Sequence, residues 1–374
     1  MATSNINKLN ITATHILFIS DIHFGRHVNA EEWQDSMRGY FNNFFLPYVR
    51  QIKAGLQEGE KLICINLGDT YQDRKAIDIN VNNLSIDVCE DIAKEVEFYV
   101  INGNHDLAKK TNEGNTSLRS IEYVPNVNVL TDPTLITIKA NNKNVKFIAI
   151  PFLGDCVKEN EYLTEYSSKA KYALMHTELT KMRLDNGRPI TNGANPEVFK
   201  GKIFSGHIHR RQESNNAIYV GSPYHLDKGD VGDVKGLYLL KVETGELTFK
   251  ENNYSPIYHK IDMDKFIQLN EDERLKFLNN NYNIIVIQEE DVPKYKKTYD
   301  FNNLGAGSTA KETKYSLVKK TQTMTAEIDN DYKEKTICEL LYDSIGQLDI
   351  EDDAKKRLCQ LSDSYYNEAE QKLG

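Results

Sequence analysis

The chain has 374 residues, 40% of them hydrophobic and 27% charged, a globular composition and not a disordered or fibrous one. Its 46 basic and 55 acidic residues give a formal charge of −9, which excludes a uniformly basic nucleic-acid coat but leaves room for a local basic groove. No apolar run approaches the roughly 18 residues a membrane span needs. The polar stretch Met1–Thr14 has no signal-peptide core, and five scattered cysteines without a C-x-x-C pair predict reduced thiols in a cytoplasmic protein.

In chain order, short β-branched runs alternate with helical spacing. His15–Ser20, Lys61–Leu67, Glu97–Ile101, Val145–Ile150, Tyr172–Met175 and Lys202–Phe204 read as buried strands, with helical patterns over Glu31–Gln57 and Ile77–Lys94 between them. That alternation predicts an α/β layered fold. From Ala217 the pattern becomes strand–turn–strand: Ala217–Val220, Gly236–Val242 and Glu246–Lys250 suggest an antiparallel edge or a second sheet. The division predicted is a main domain over 1–253, a small accessory element over 254–300, a polar linker over 301–330 and a helical hairpin over 331–374. The hairpin rests on the spacing of Ile337, Leu340, Leu341 and Ile345, then Leu358, Leu361, Tyr365 and Ala369. This tail holds 6 basic and 11 acidic residues, more than half of the acidic excess of the chain.

Five segments follow predicted strands: Asp21-Ile22-His23, Gly68-Asp69, Gly103-Asn104-His105-Asp106, His176 and Gly206-His207-Ile208-His209. The carboxyl ends of strands are where α/β sheets place ligands. Aspartate, asparagine and histidine with few thiols suit manganese, iron or zinc, and two closely spaced cations need a shared carboxylate plus several ligands each. A lone D-x-H or H-x-H is commonly structural, and a lone histidine in an apolar strand is commonly a satisfied core residue. The ordered set, which uses five of the nine histidines, is not explained that way.

This motif order resembles the calcineurin-like metallophosphoesterases. The resemblance implies a four-layer α/β/β/α sandwich and two divalent ions, Mn2+ foremost, with Mg2+, Fe2+ or Zn2+ as alternatives. It implies that Asp21, His23 and His209 hold one ion and Asn104, His176 and His207 the other, with Asp69 between. His105 is then the residue that assists the leaving oxygen, with Asp106 orienting its ring, while activated water attacks phosphorus in line. The protein-phosphatase signature is not matched by Gly68-Asp69-Thr70-Tyr71-Gln72-Asp73-Arg74-Lys75. Asp21-Ile22-His23-Phe24-Gly25-Arg26 and Gly221-Ser222-Pro223-Tyr224 instead resemble SbcD-type DNA nucleases, and the segment from Gly68 to Ala76 resembles the bacteriophage recombination-endonuclease members of that group.

Basic residues follow most of the motifs: Arg26, Arg74, Lys75, Lys109, Lys110, Arg210 and Arg211, with Lys181, Arg183 and Arg188 as an extension. Loops beyond strand ends share a face, so these charges predict a phosphate track on double-stranded DNA ends. Phe24, Tyr71 and Tyr224 are candidates to wedge or stack bases. By resemblance, the tail grips an SbcC-type ATPase, and helices near 76–95 and 114–123 form a homodimer. Two other readings stand beside the nuclease: a small-molecule or cyclic-nucleotide phosphodiesterase, and a non-catalytic DNA-holding subunit.

Overall fold

The computed structural model describes residues 6–27, 30–109, 115–318 and 354–359. By compactness the chain divides into a large unit, Met1–Ile287 with Asp291–Leu317, and a small one, Gln288–Glu290 with Val318–Gly374.

The strands are β1 (Asn7–Thr12), β2 (His15–Ile19), β3 (Leu62–Asn66), β4 (Glu97–Ile101), β5 (Val127–Leu130), β6 (Thr134–Ala140), β7 (Lys143–Ile150), β8 (Tyr172–His176), β9 (Lys202–Gly206), β10 (Gln212–Ser214), β11 (Ala217–Tyr219), β12 (Gly236–Lys241), β13 (Leu247–Glu251), β14 (Tyr258–Asp262), β15 (Tyr282–Gln288) and β16 (Glu312–Val318). A seven-stranded sheet runs β1-β6-β7-β8-β9-β11-β10, and a six-stranded sheet runs β13-β12-β2-β3-β4-β5. The main helices are α1 (Glu31–Tyr40), continued through a π-helical turn at Phe41–Phe45 into α2 (Leu46–Gly55), then α3 (Ile79–Glu95) and α4 (Cys156–Tyr166). Asp78 caps α3 by accepting from the Asn80 amide at 2.8 Å, and Asp155 caps α4 through the Val157 and Lys158 amides.

Period-two alternation sorts the apolar residues of the two large sheets into three cores. In β2, Ile16 and Phe18 face the other sheet while Leu17 and Ile19 face the helices; β3 does the same with Ile63 and Ile65 against Leu62 and Cys64. The middle core joins these to Phe147, Leu174, Phe204 and Ile218 of the seven-stranded sheet. An outer core packs Trp33, Tyr40, Phe45, Leu84 and Val88 on the six-stranded sheet, and the opposite one packs Leu163 and Tyr166 on Ile148, Ala173 and Ile203. Two sheets face to face with helices on both outer sides make the α/β/β/α sandwich. It also explains why β2, β3 and β8 are buried at every position: parallel strands covered on both faces do not alternate in polarity.

Several boundaries differ from the sequence expectations. Ala217–Tyr219 joins the seven-stranded sheet, parallel to β9, and not the antiparallel edge that β12 and β13 form beside β2. The predicted linker 301–330 does not begin at 301. β16 closes a three-stranded sheet, β14-β15-β16, whose own core holds Met263, Phe266, Leu278, Ile285, Tyr295 and Phe301. As an edge strand with no fully buried residue, β16 carries almost no apolar signature, and its Thr and Lys content resembles a linker. The second dimer helix near 114–123 is a 3-10 turn at Ser117–Ser120 among the described residues, and α3 buries Val81, Leu84, Val88 and Ile92 in the core. Of the tail hairpin, only a helix at 354–359 is described; its first predicted helix, the one carrying Ile337, Leu340, Leu341 and Ile345, lies outside the described residues. No helix among the described residues is long and apolar enough to cross a membrane.

Candidate metal centre

The ladder between β2 and β3 runs past the strand ends. The Asp21, His23 and Phe24 amides donate to the Gly68, Asp69 and Thr70 carbonyls at 3.0, 3.0 and 2.8 Å. These bonds hold Asp21, His23 and Asp69 at φ of 54°, 53° and 52°, a left-handed backbone uncommon outside glycine, and His207 stands at 87°. Such strain persists only where surrounding bonds over-determine it. The glycines are required by proximity: a Cβ on Gly68 would meet His176 Nδ1 at 2.3 Å, and one on Gly103 would meet Asp69 Oδ1 at 2.2 Å.

Seven predicted ligands converge in two groups. Asp21, His23 and His209 bring their ligand atoms together, with His23 Nε2 and His209 Nε2 3.0 Å apart. In the second group Asn104 Oδ1 lies 3.0 Å from His176 Nε2 and 2.7 Å from His207 Nδ1. Asp69 reaches both, with Oδ2 3.6 Å from His23 Nε2 and Oδ1 3.3 Å from His176 Nε2.

This arrangement fits cations. His176 donates Nδ1–H to the Leu67 carbonyl at 2.7 Å, so its Nε2 points at two oxygens, those of Asn104 and Asp69. Three such atoms in a buried volume need a positive charge among them, carried by a proton on Nε2 or by a cation in its place. Asp21 Oδ2 is buried without a hydrogen-bond partner. The ionisation of the centre carries the same demand. Burial, reinforced by Asp69, raises the Asp21 carboxyl to about 7. Burial acts to lower His176, but Asp69 and Asp21 lift it to about 9. Burial acts to raise Asp69, yet the histidines around it, His176 foremost, hold it well below the usual carboxylate range. His23 is pushed well below its ordinary value by burial, and His209 is lowered for the same reason. The protons that Asp21 and His176 retain are the charge that a divalent ion would displace on binding.

His105 stands beside this centre and is half-buried, its ring edge-on to His23 at 5.0 Å between centroids. Its Nδ1–H goes to the Gln72 carbonyl at 2.7 Å, which leaves Nε2 free. Asp106 does not orient this ring. Its carboxylate is buried and accepts the Thr70, Tyr71 and Gly103 amides at 3.2, 3.0 and 2.9 Å, which staples the Gly68-Asp69 loop to the Gly103-Asn104 loop. Three backbone amides take up most of this carboxylate, and the His105 ring is anchored instead by the Gln72 carbonyl, which replaces the expected orientation by Asp106.

The calcineurin-like phosphoesterase family profile matches residues 14–211, a span that contains every one of these residues. The chain belongs to the calcineurin-like phosphoesterases. It is also similar to exonuclease subunit 1 of Enterobacteria phage T4, at 27% identity over 271 residues, 68% of this chain and 74% of that protein.

Within this phosphoesterase the predicted basic ring is uneven. Arg26 is committed to Asp227 at 2.6 Å and to Gln72 Oε1 at 3.0 Å. Arg210 pairs with Asp233 at 3.0 Å, and Arg211 lies over the Phe249 ring at 4.3 Å. Lys181 pairs with Glu197, and Arg183 donates to the Gly187 carbonyl. Arg74 is half-buried, while Lys75, Lys109 and Arg188 are exposed; Lys110 lies outside the described residues. Tyr224 cannot stack a base: it is buried, its hydroxyl donates to the Ile22 carbonyl at 2.7 Å, and its ring meets Tyr40 and Trp33 edge-on. Phe24 and Tyr71 are core residues as well, the latter hydrogen-bonded to Ser85 and Ser120.

Sequence reasoning missed the groups that support the ligands. Glu178 Oε1 lies 3.7 Å from His207 Nε2, and Asp185 Oδ2 lies 3.8 Å from His209 Nδ1. A carboxylate beside the far nitrogen of a ligating histidine is the usual supporting partner. Glu178 stands two residues after His176 and was findable by that logic; Asp185 sits in a polar turn with no such signal.

Proposed function

We propose that this phosphoesterase is a DNA nuclease that hydrolyses phosphodiesters at a two-ion centre. In this reading Asp21, His23 and His209 hold one ion, Asn104, His176 and His207 hold the other, and the Asp69 carboxylate is shared. The carrying observation is the position of Asp69, within 3.6 Å of a histidine of each group. Ions bound there would neutralise phosphate oxygens and make the attacking water more acidic, and Mn2+ is the choice we favour. His105, with Nδ1–H anchored on Gln72, keeps Nε2 for a proton that it delivers to the departing oxygen. Asp21 and Asp69 anchor the surrounding loops as well, since Asp21 Oδ1 accepts the His207 amide at 3.0 Å and Asp69 Oδ1 the His105 amide at 2.7 Å.

DNA as the substrate is supported by the similarity to a phage exonuclease subunit. That relative's name also supports action within a complex. The partner we propose is an SbcC-type ATPase, docked by the helical spacing of the tail, in an assembly working in the host cytoplasm. Exposed Ile79 and Tyr123 support a homodimer contact.

The test is cleavage of end-labelled linear duplex DNA with Mn2+, beside His105→Ala and a chelator control. Metal-dependent cleavage that falls ~10²–10⁴-fold in the variant, with Mn2+ binding retained, is the expected result. Turnover of a small aryl phosphodiester without DNA cleavage would move the substrate to small molecules or cyclic nucleotides. Removing residues 327–374 is expected to abolish co-purification with the ATPase and spare cleavage by the isolated subunit.

A further inference from the structure

Lys235 is buried, with 3% of its surface exposed, one residue before β12. An ammonium ion in such a place needs a partner for each of its three hydrogens. It has three neighbours: the backbone carbonyl of His209 at 2.7 Å, Asp230 Oδ1 at 2.5 Å and Asp233 Oδ2 at 3.5 Å. Asp230 is fixed in turn by the Leu226 and Asp227 amides at 2.7 and 3.2 Å, and Asp233 is paired with Arg210, the residue after His209. The same His209 carbonyl accepts the Ser222 amide at 3.0 Å.

The place of this lysine in the fold gives the contact its meaning. His209 follows β9 of the seven-stranded sheet, whereas Asp21 and His23 follow β2 of the six-stranded sheet. β12, which Lys235 precedes, is hydrogen-bonded to β2 in register Tyr238 to Phe18. The first ligand group is therefore assembled across the gap between sheets. Packing of apolar side chains sets that gap only to the tolerance of the middle core; the His207 amide on Asp21 Oδ1 ties the two loops at 3.0 Å, and the Lys235 contact adds a second tie behind His209 itself. The second group has its own cross-sheet tie, the His176 Nδ1–H bond to the Leu67 carbonyl at the end of β3.

We propose that Lys235 is a positioning residue, a buried strut that fixes the His209 loop of one sheet to the paired strands β12 and β2 of the other and so sets the Asp21–His23–His209 ion site. The inference rests on the two-ion reading of the centre. It predicts that losing the strut damages one ion site and leaves the Asn104–His176–His207 site intact.

The experiment is Mn2+ titration of the full chain by calorimetry and by the electron paramagnetic resonance of free Mn2+. Lys235→Met is combined with Asp230→Asn so that no carboxylate loses its counter-charge, and Lys235→Gln, one atom shorter with a donor retained, serves as the second variant. Folding is checked by circular dichroism. We expect two ions bound by the wild type, and in a folded variant one of them weakened ~10–100-fold, the range for loss of a group that supports a ligand. Saturating Mn2+ should then restore most of the turnover on an aryl phosphodiester. Two sites of unchanged affinity in either folded variant, or equal weakening of both, would overturn the strut. A wild type that binds no Mn2+ would instead overturn the two-ion reading itself.

Discussion

The ligand loops and the basic loops leave the same ends of the same strands, yet they are built by different rules. Asp21, His23, Asp69 and His176 are buried, strained or tied to backbone carbonyls, and each has a position that its neighbours dictate. The basic residues a few positions further on are divided between ion pairs, as for Arg26 and Arg210, and solvent, as for Lys75 and Lys109. Burial makes a polar residue's identity and geometry non-negotiable, because an unpaired buried group is costly. On the surface the same residue type can serve a substrate, a neighbouring carboxylate or only water, and spacing in the sequence does not distinguish these.

The widest separation between the two regions should come from Asp69→Asn. Loss of the shared carboxylate charge is expected to remove high-affinity binding of both ions, read by calorimetry. Turnover should then fall by more than the roughly 10–100-fold that loss of a supporting partner costs. Loss of only one ion would break the bridging role. The basic loops should answer more gently and only toward DNA. Arg74, Lys75 and Lys109 make no ion pair among the described residues, so their triple alanine variant is expected to make the log–log salt dependence of DNA binding shallower by about 2.7. Aryl phosphodiester turnover should stay unchanged, while Arg26→Ala, whose partner is Asp227, should move that slope less. Equal effects of paired and unpaired residues would erase the distinction drawn above.

The smallest effect is on stability. Glu159, buried behind β8, accepts from the Thr177 hydroxyl at 2.7 Å and is raised by burial from 4.5 to about 7. The folded chain thus retains a proton that the unfolded chain has released over that interval. The stabilisation is complete below 4.5 and is lost as pH climbs through about 7. Glu159→Gln should flatten this loss, worth at most about 3 kcal/mol, in chemical unfolding measured at pH 5 and pH 8. A parallel pH profile in the variant would assign the proton elsewhere.

Much of the centre was legible before any coordinates, for a reason particular to these residues. Asp21, Asp69, Asn104, His176, His207 and His209 sit at strand ends, three of those segments carry a glycine (68, 103, 206) where a Cβ would collide with its neighbours, and five of nine histidines fall in those segments. Asp106 misled because adjacency to His105 suggested a side-chain partner, whereas its neighbours in space are three backbone amides. Tyr224 misled because its turn is near the site but its ring points into the core. β16 was hidden because an edge strand with no fully buried residue carries little hydrophobic signal.

The sequence by itself determined the layered α/β class, the order of the motif segments and the candidate ligand side chains, since these follow from local periodicity and from chemistry that few residue types can perform. Only the tertiary structure decided which sheet each segment joins, which carbonyl orients His105, and that Lys235 reaches His209 from 26 residues away. Those are choices among partners distant in the chain. They are settled by how two twisted sheets pack and by which buried charges must find one another, and neither leaves a mark in the spacing of residues along a single strand.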